Sequence, residues 1–168
     1  MPSLPVPESP LQTHNSAYRK QILVRFGDCD AAGIVFYPRY FDIFNSLVED
    51  WCREELDFSF SEIVTRRGWG LPTVHLEVDF LVPSVFGEVL SAMLSVTALG
   101  KTSINLNILL QGPDAVDRVR GKVTLVLIDR KQHRAIPIPD EVRARILNFQ
   151  ADSNDTLVQP DLKGKVNT

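Results

Sequence analysis

The stretch FGDCDAAGIVFYPRYF, residues 26–41, sets two carboxylates, Asp28 and Asp30, ahead of a glycine, an aromatic run and a proline. Pro38 suits the start of a helix, because its missing N–H is not needed there. A helix start leaves unpaired N–H groups and the positive end of the helix dipole. With Pro38 contributing no N–H, the Tyr37 amide is the natural donor at this end. A carbonyl oxygen held there is stabilised as negative charge develops on it. Losing one such donor costs on the order of 100–1000-fold in rate. A nearby carboxylate can attack the carbonyl carbon or deprotonate a water. Thioesters suit this small equipment, since a thiol with a pKa of about 8.5 leaves without a strong general acid. A serine nucleophile in GxSxG is absent from the sequence. The plainer reading is that aspartates before a helix cap it or form a turn.

The elements that must position these groups follow from periodicity. Residues 18–26 carry Ile22, Val24 and Phe26 on one alternating face, a strand. From Arg39 to Leu56, Phe41, Phe44, Leu47, Val48 and Trp51 recur at spacings of three and four, which predicts an amphipathic helix whose wide aromatic stripe lies on a sheet. Tyr40, Phe36 and Trp51 read as core, with Phe36 and Tyr37 also placed to line an acyl pocket. The segment 58–70 predicts a short helix ended by Gly68. Val74, Leu76, Val78 and Phe80 then alternate with His75, Glu77 and Asp79. Further strands are expected over 88–98, 102–111 and 118–129, with a tight connection at 99–101. Asp140 is placed to cap a last short helix over 141–149. Short links between the last four strands imply antiparallel pairing. One long helix covers one face of such a sheet, and a second copy of the chain is the economical cover for the rest.

With 168 residues, 44% of them hydrophobic, the chain can bury one domain's core without disulfide or metal. We place that domain at 17–150, between polar ends at 1–16 and 151–168 that read as loose tails. A net charge of −3 argues against a nucleic-acid partner. No apolar run has the length of a secretory signal or of a membrane span. Cys29 and Cys52 belong to no metal or redox motif, so a reducing, cytoplasmic setting is expected. Cys29 reads as packing, because no histidine is placed to activate it. Arg66 and Arg67 read as a solvated basic pair, and His75 as a surface or interface residue.

The order β, long α, then four strands, together with FGDCDAAGIVFYPRYF, closely resembles the 4-hydroxybenzoyl-CoA thioesterase family, the hotdog-fold branch with a catalytic aspartate before the helix. The resemblance spans residues 18 to about 148. It implies an α+β hotdog fold, a five-stranded antiparallel sheet wrapped around one long helix. It also implies hydrolysis of an aromatic or short-chain acyl-CoA, with coenzyme A as part of the substrate and no other cofactor or metal. The family's catalytic carboxylate falls on Asp30, the carbonyl-binding N–H on Tyr37, and the loop glycine on Gly33. Asp28 keeps the structural role of ordering the loop. The helix position that is acidic in enzymes gripping a phenolic hydroxyl falls on Asn45, which can donate as well as accept. Phosphates of coenzyme A call for lysine or arginine. The hairpin that is basic in the hydroxybenzoyl enzymes holds only Lys101 here. Arg130, Lys131 and Arg134 are further cations without a positional argument. Substrate at the seam between subunits, a homodimer and a homotetramer built from dimers are also implied. Two other functions fit parts of the pattern: a hotdog dehydratase acting on hydroxyacyl thioesters through His75, and a non-catalytic acyl-CoA binding module.

Overall fold

The computed structural model describes residues 17–151. The expected tails at 1–16 and 151–168 lie outside them, apart from Ala151. The chain forms strand β1 (Tyr18–Leu23), helix α1 (Arg39–Glu54), strands β2 (Trp69–Gly70), β3 (Thr73–Phe80), β4 (Val89–Leu99), β5 (Ser103–Gln111), β6 (Asp117–Val126), β7 (Ile128–Asp129) and β8 (Arg134–Ala135), and helix α2 (Asp140–Leu147). Five strands make one antiparallel sheet in the order β1-β4-β5-β6-β3. This is the hotdog arrangement that the resemblance implies.

Alternation decides which side chains meet the helix. Leu90, Ala92, Leu94 and Val96 of β4, Ile104, Leu106, Ile108 and Leu110 of β5, and Val119, Val123 and Leu125 of β6 are buried beneath it. Against them α1 packs Tyr40, Phe44, Leu47, Val48, Trp51 and Cys52. Phe41, expected in that stripe, lies at its margin and Tyr40 takes the buried place. One contact sets how closely helix and sheet approach. A Cβ on Gly121 would stand 2.4 Å from the Phe44 ring, so only glycine fits beneath it.

Four further expectations need correction. The strand expected over 18–26 ends at Leu23, and Phe26 lies in a 3-10 turn, largely exposed. The strand expected over 118–129 ends at Val126, and Ile128–Asp129 leave the main sheet to pair with Trp69–Gly70. With Arg134–Ala135 they form a small sheet in the order β2-β7-β8. The segment after α1 contains a π-helical turn, Glu62–Arg66, rather than an ordinary helix, and Gly68 follows it at a φ of 69°. Asp140 is the first residue of α2 rather than its cap, and no side chain caps that helix.

The strand β3 alternates as expected, yet most of it is exposed. As the outer edge of the sheet it meets α1 at one end, where the Phe80 ring lies 5.7 Å from that of Tyr40. Its residues Leu76, Val78 and Phe80 pair with Val123, Gly121 and Val119, so they face the helix side. Leu76 and Phe80 are nevertheless exposed, at 40% and 51%.

Candidate active site

The loop between β1 and α1 is a hairpin closed by its own backbone. Cys29 and Val35 bridge it. Asp30 N–H donates to Ile34 O, Gly33 N–H to Asp30 O, and Phe36 N–H to Asp28 O, at 2.9–3.0 Å. The turn needs Gly33, whose φ is 74°. Both aspartates carry turn bonds as well. Asp28 Oδ2 accepts Arg25 N–H and Asp30 Oδ1 accepts Ala32 N–H, each at 2.8 Å. Among the described residues, Asp30 Oδ2 accepts no hydrogen bond.

The hairpin is seated on the segment before β4. Val35 N–H donates to Ser84 O at 2.9 Å, Phe86 N–H to Gly33 O at 3.2 Å, and Ile34 bridges to Val85. A buried pair carries this seat to the helix, because Tyr40 Oη donates to Ser84 Oγ at 3.0 Å. Both residues are within a few per cent of complete burial.

The helix start then distributes its donors unevenly. Arg39 N–H is taken by Phe36 O, Tyr40 N–H by Tyr37 O and Phe41 N–H by Pro38 O. Pro38 has none to give. Among the described residues, Tyr37 N–H alone between Val35 and Phe41 has a donor and no acceptor.

Tyr37 lines an apolar cleft of about 220 Å³ with Ile34, Tyr40, Phe80, Val82 and Val119. Its ring meets Phe36, Phe41 and Phe80 edge-on, with centroids 5.5–6.3 Å apart. Asp30 sits on the exposed turn of the hairpin beside the cleft and is not among its lining residues. Phe36 is half-exposed against the Tyr37 ring. Asn45 lies on the exposed face of α1, and Lys101 on the exposed β4–β5 turn. Neither reaches the cleft of this chain. His75 is exposed on the outer face of the sheet, 3.2 Å from Glu77.

Cys29 sits between the two aspartates, and partial burial together with their charges raises its thiol pKa. Burial pushes the Cys52 thiol to about 12. Neither environment favours a thiolate. Among the described residues no three His, Cys, Asp or Glu side chains are grouped to hold a metal, and no helix is long and apolar enough to cross a membrane.

A residue the pattern did not point to holds the far wall of the cleft. Arg118 is buried and ion-pairs with the equally buried Glu88. Arg118 O accepts Leu81 and Val82 N–H, while Glu88 Oε2 accepts Val85 N–H. The pair thus pins both ends of segment 81–88.

Residues 24–146 match the model of the thioesterase-like superfamily. The chain belongs to that superfamily. Membership carries the class of enzyme, a thioester hydrolase. A 1,4-dihydroxy-2-naphthoyl-CoA hydrolase of Synechococcus elongatus is 30% identical over 129 residues, 75% of this chain and 92% of the relative. A solved gentisyl-coenzyme A thioesterase is 28% identical, with a TM-score of 0.67 over 77% of this chain and 98% of its own. The fold is also that of a 1,4-dihydroxy-2-naphthoyl-CoA thioesterase from Synechocystis, 22% identical, with a TM-score of 0.73 over 78% of this chain and 96% of that one.

Proposed function

We propose that the superfamily chemistry in this chain is hydrolysis of an aromatic or short-chain acyl-CoA, with Asp30 as nucleophile or general base and the Tyr37 N–H holding the thioester carbonyl. The observation that carries the reading is the unaccepted Tyr37 N–H at the start of α1, on a residue that lines an apolar cleft. A thioester oxygen there receives a hydrogen bond that strengthens as the tetrahedral intermediate forms. Asp30 enters through its place in the same hairpin, with Oδ1 held by Ala32 N–H and Oδ2 left to react.

Two courses are open to that oxygen. It attacks the carbonyl carbon, the thiolate leaves and takes a proton from water, and water then cleaves the aspartyl anhydride. Alternatively it removes a proton from a water that attacks directly. Both yield free acid and coenzyme A, and neither needs a metal or a further cofactor. The aromatic acyl groups in the names of the two relatives above favour an aromatic substrate, and the apolar ring cluster around Tyr37 favours the same class. 4-Hydroxybenzoyl-CoA is one member of that class.

A homodimer completes the site in this reading. The strand β3 ends the sheet with its backbone edge open, and Leu76 and Phe80 are exposed on the helix side. Antiparallel pairing with a second copy along β3 closes that edge and covers those side chains. Pairs of such dimers are the expected tetramer.

The test is a panel of benzoyl-, hydroxybenzoyl-, dihydroxynaphthoyl- and short-chain acyl-CoAs, with released thiol measured. Turnover of one aromatic or short acyl group well above the others is expected. Tight binding with no thiol release across the panel would contradict the reading.

A further inference from the structure

We propose that the groove between the turn after the π-helical segment and the β7–β8 hairpin binds the phosphorylated nucleotide end of the coenzyme A thioester. The inference rests on the acyl-CoA reading above and adds the place of the nucleotide.

Arg66 and Arg67 form one side of this groove, and Arg130, Lys131 and His133 the other. Its open volume is about 830 Å³, within the range that ligand sites of this kind occupy. Four permanent cations against one lining carboxylate, Asp129, stand in a chain whose net charge is −3. The positive charge is therefore local and opposite in sign to the whole.

The walls are held by backbone. Trp69 and Gly70 pair with Asp129 and Ile128, and Arg130 N–H donates to Gly68 O at 3.1 Å. Arg130 runs across Gly70, where an added Cβ would touch its Cγ at 3.4 Å. Arg67 is fixed over the rings of Phe58 and Trp69, 5.6 and 5.1 Å from their centroids, and paired with Glu62 at 3.1 Å. Asp129 Oδ1 accepts the N–H groups of both Lys131 and Gln132. Among the described residues Arg66, Arg130 and Lys131 have no carboxylate within ion-pair distance. Exposed, unpaired guanidinium groups on a fixed frame suit the forked binding of phosphate. Lys101, at the hairpin where the resemblance places phosphate contacts, is not part of the groove.

Position links the groove to the reaction. It lies at the amino end of β3 and the Tyr37 cleft at the carboxyl end, about 25 Å apart for an eight-residue strand. A second copy paired antiparallel along β3 sets its groove beside this chain's cleft. One substrate then has its thioester on one chain and its nucleotide on the other.

The experiment uses the full chain and an Arg66→Ala/Arg130→Ala variant. Direct binding of adenosine 3′,5′-bisphosphate is expected for the parent, weakened tenfold or more in the variant and by added salt. With benzoyl-CoA the variant is expected to raise KM tenfold or more at unchanged kcat, while benzoyl-pantetheine, which lacks the nucleotide, is handled equally by both. Equal bisphosphate affinity in the two proteins would overturn the proposal. So would an equal rise in KM for benzoyl-pantetheine, or a bisphosphate site whose loss leaves the benzoyl-CoA KM unchanged. If no thioester is turned over, the acyl-CoA reading fails, and bisphosphate binding by itself still decides whether the groove takes nucleotide.

Discussion

Tyr40 and Ser84 are joined twice, by Tyr40 Oη to Ser84 Oγ at 3.0 Å and by Ser84 N–H back to Tyr40 Oη at 3.3 Å, both deep in the interior. Through this pair the first turn of α1, which presents Tyr37, is locked to the segment that seats the Asp30 hairpin. Catalysis of the proposed kind depends on how well the two are held relative to each other. Tyr40→Phe leaves Ser84 N–H and Oγ buried without that partner, at a cost of about 1–3 kcal/mol. The expected result is a lower melting temperature and a kcat reduced at least tenfold, with KM less affected. Parent-like kcat in a folded Tyr40→Phe protein would show that the lock does not serve the site.

The Arg118–Glu88 pair is a second lock, with side chains 7% and 8% exposed. Removing one partner leaves a buried charge uncompensated, which typically costs about 3–5 kcal/mol. Arg118→Met is expected to unfold at markedly lower denaturant concentration than the parent. Replacing both residues together, Arg118→Met with Glu88→Leu, should recover much of the loss. Equal destabilisation by the single and double variants would contradict this account.

The legible part of the structure is the part whose determinants are local. The spacing of Phe44, Leu47, Val48 and Trp51 identifies α1 and its buried face, and alternation finds all five strands of the main sheet. Gly33 and Pro38 mark the turn and the helix start within a dozen residues of each other. What escaped depends on distant partners. The strands β2, β7 and β8 are two residues each, too short for a period, and exist because Trp69 meets Asp129 across the fold. Arg118 begins the strand expected over 118–129, and nothing local marks it for burial. A register shift between Leu110 and Gln111 against β6 accompanies its burial, where Glu88, thirty residues earlier, neutralises it. Arg66 and Arg67 read as a solvated pair and Arg130 and Lys131 as cations without a positional argument, because only the β2–β7 ladder brings the four to one groove.

Acid stability should report a third contact. Tyr18 Oη donates to Glu54, and with Arg53 and Lys20 it holds the Glu54 carboxyl down at about 2. A folded pKa below the unfolded one means that the unfolded chain binds more protons between those values. The stabilisation is full above about pH 4.5 and is lost as pH falls towards 2. Glu54 is partly exposed, so the effect is small, below about 1 kcal/mol. In Tyr18→Phe the melting temperature should fall most near neutrality, with the gap to the parent closing towards pH 2. A gap independent of pH would contradict the assignment.

The open edge of β3 makes assembly testable. Leu76→Glu puts a charge on an exposed side chain that the proposed dimer would bury. The parent is expected to sediment as a dimer or tetramer, and the variant as a folded monomer with at least tenfold lower turnover. A parent that is monomeric and fully active would contradict the shared site.

The most direct measurement is single-turnover hydrolysis of the best acyl-CoA from the panel by Asp30→Asn, beside the parent, with substrate binding measured separately. Asparagine keeps an oxygen for Ala32 N–H, so the hairpin should hold and binding should persist. The account requires hydrolysis to fall by about 100-fold or more, the scale of a general base and beyond it of a nucleophile. Hydrolysis at the parent's rate by the folded variant would contradict it.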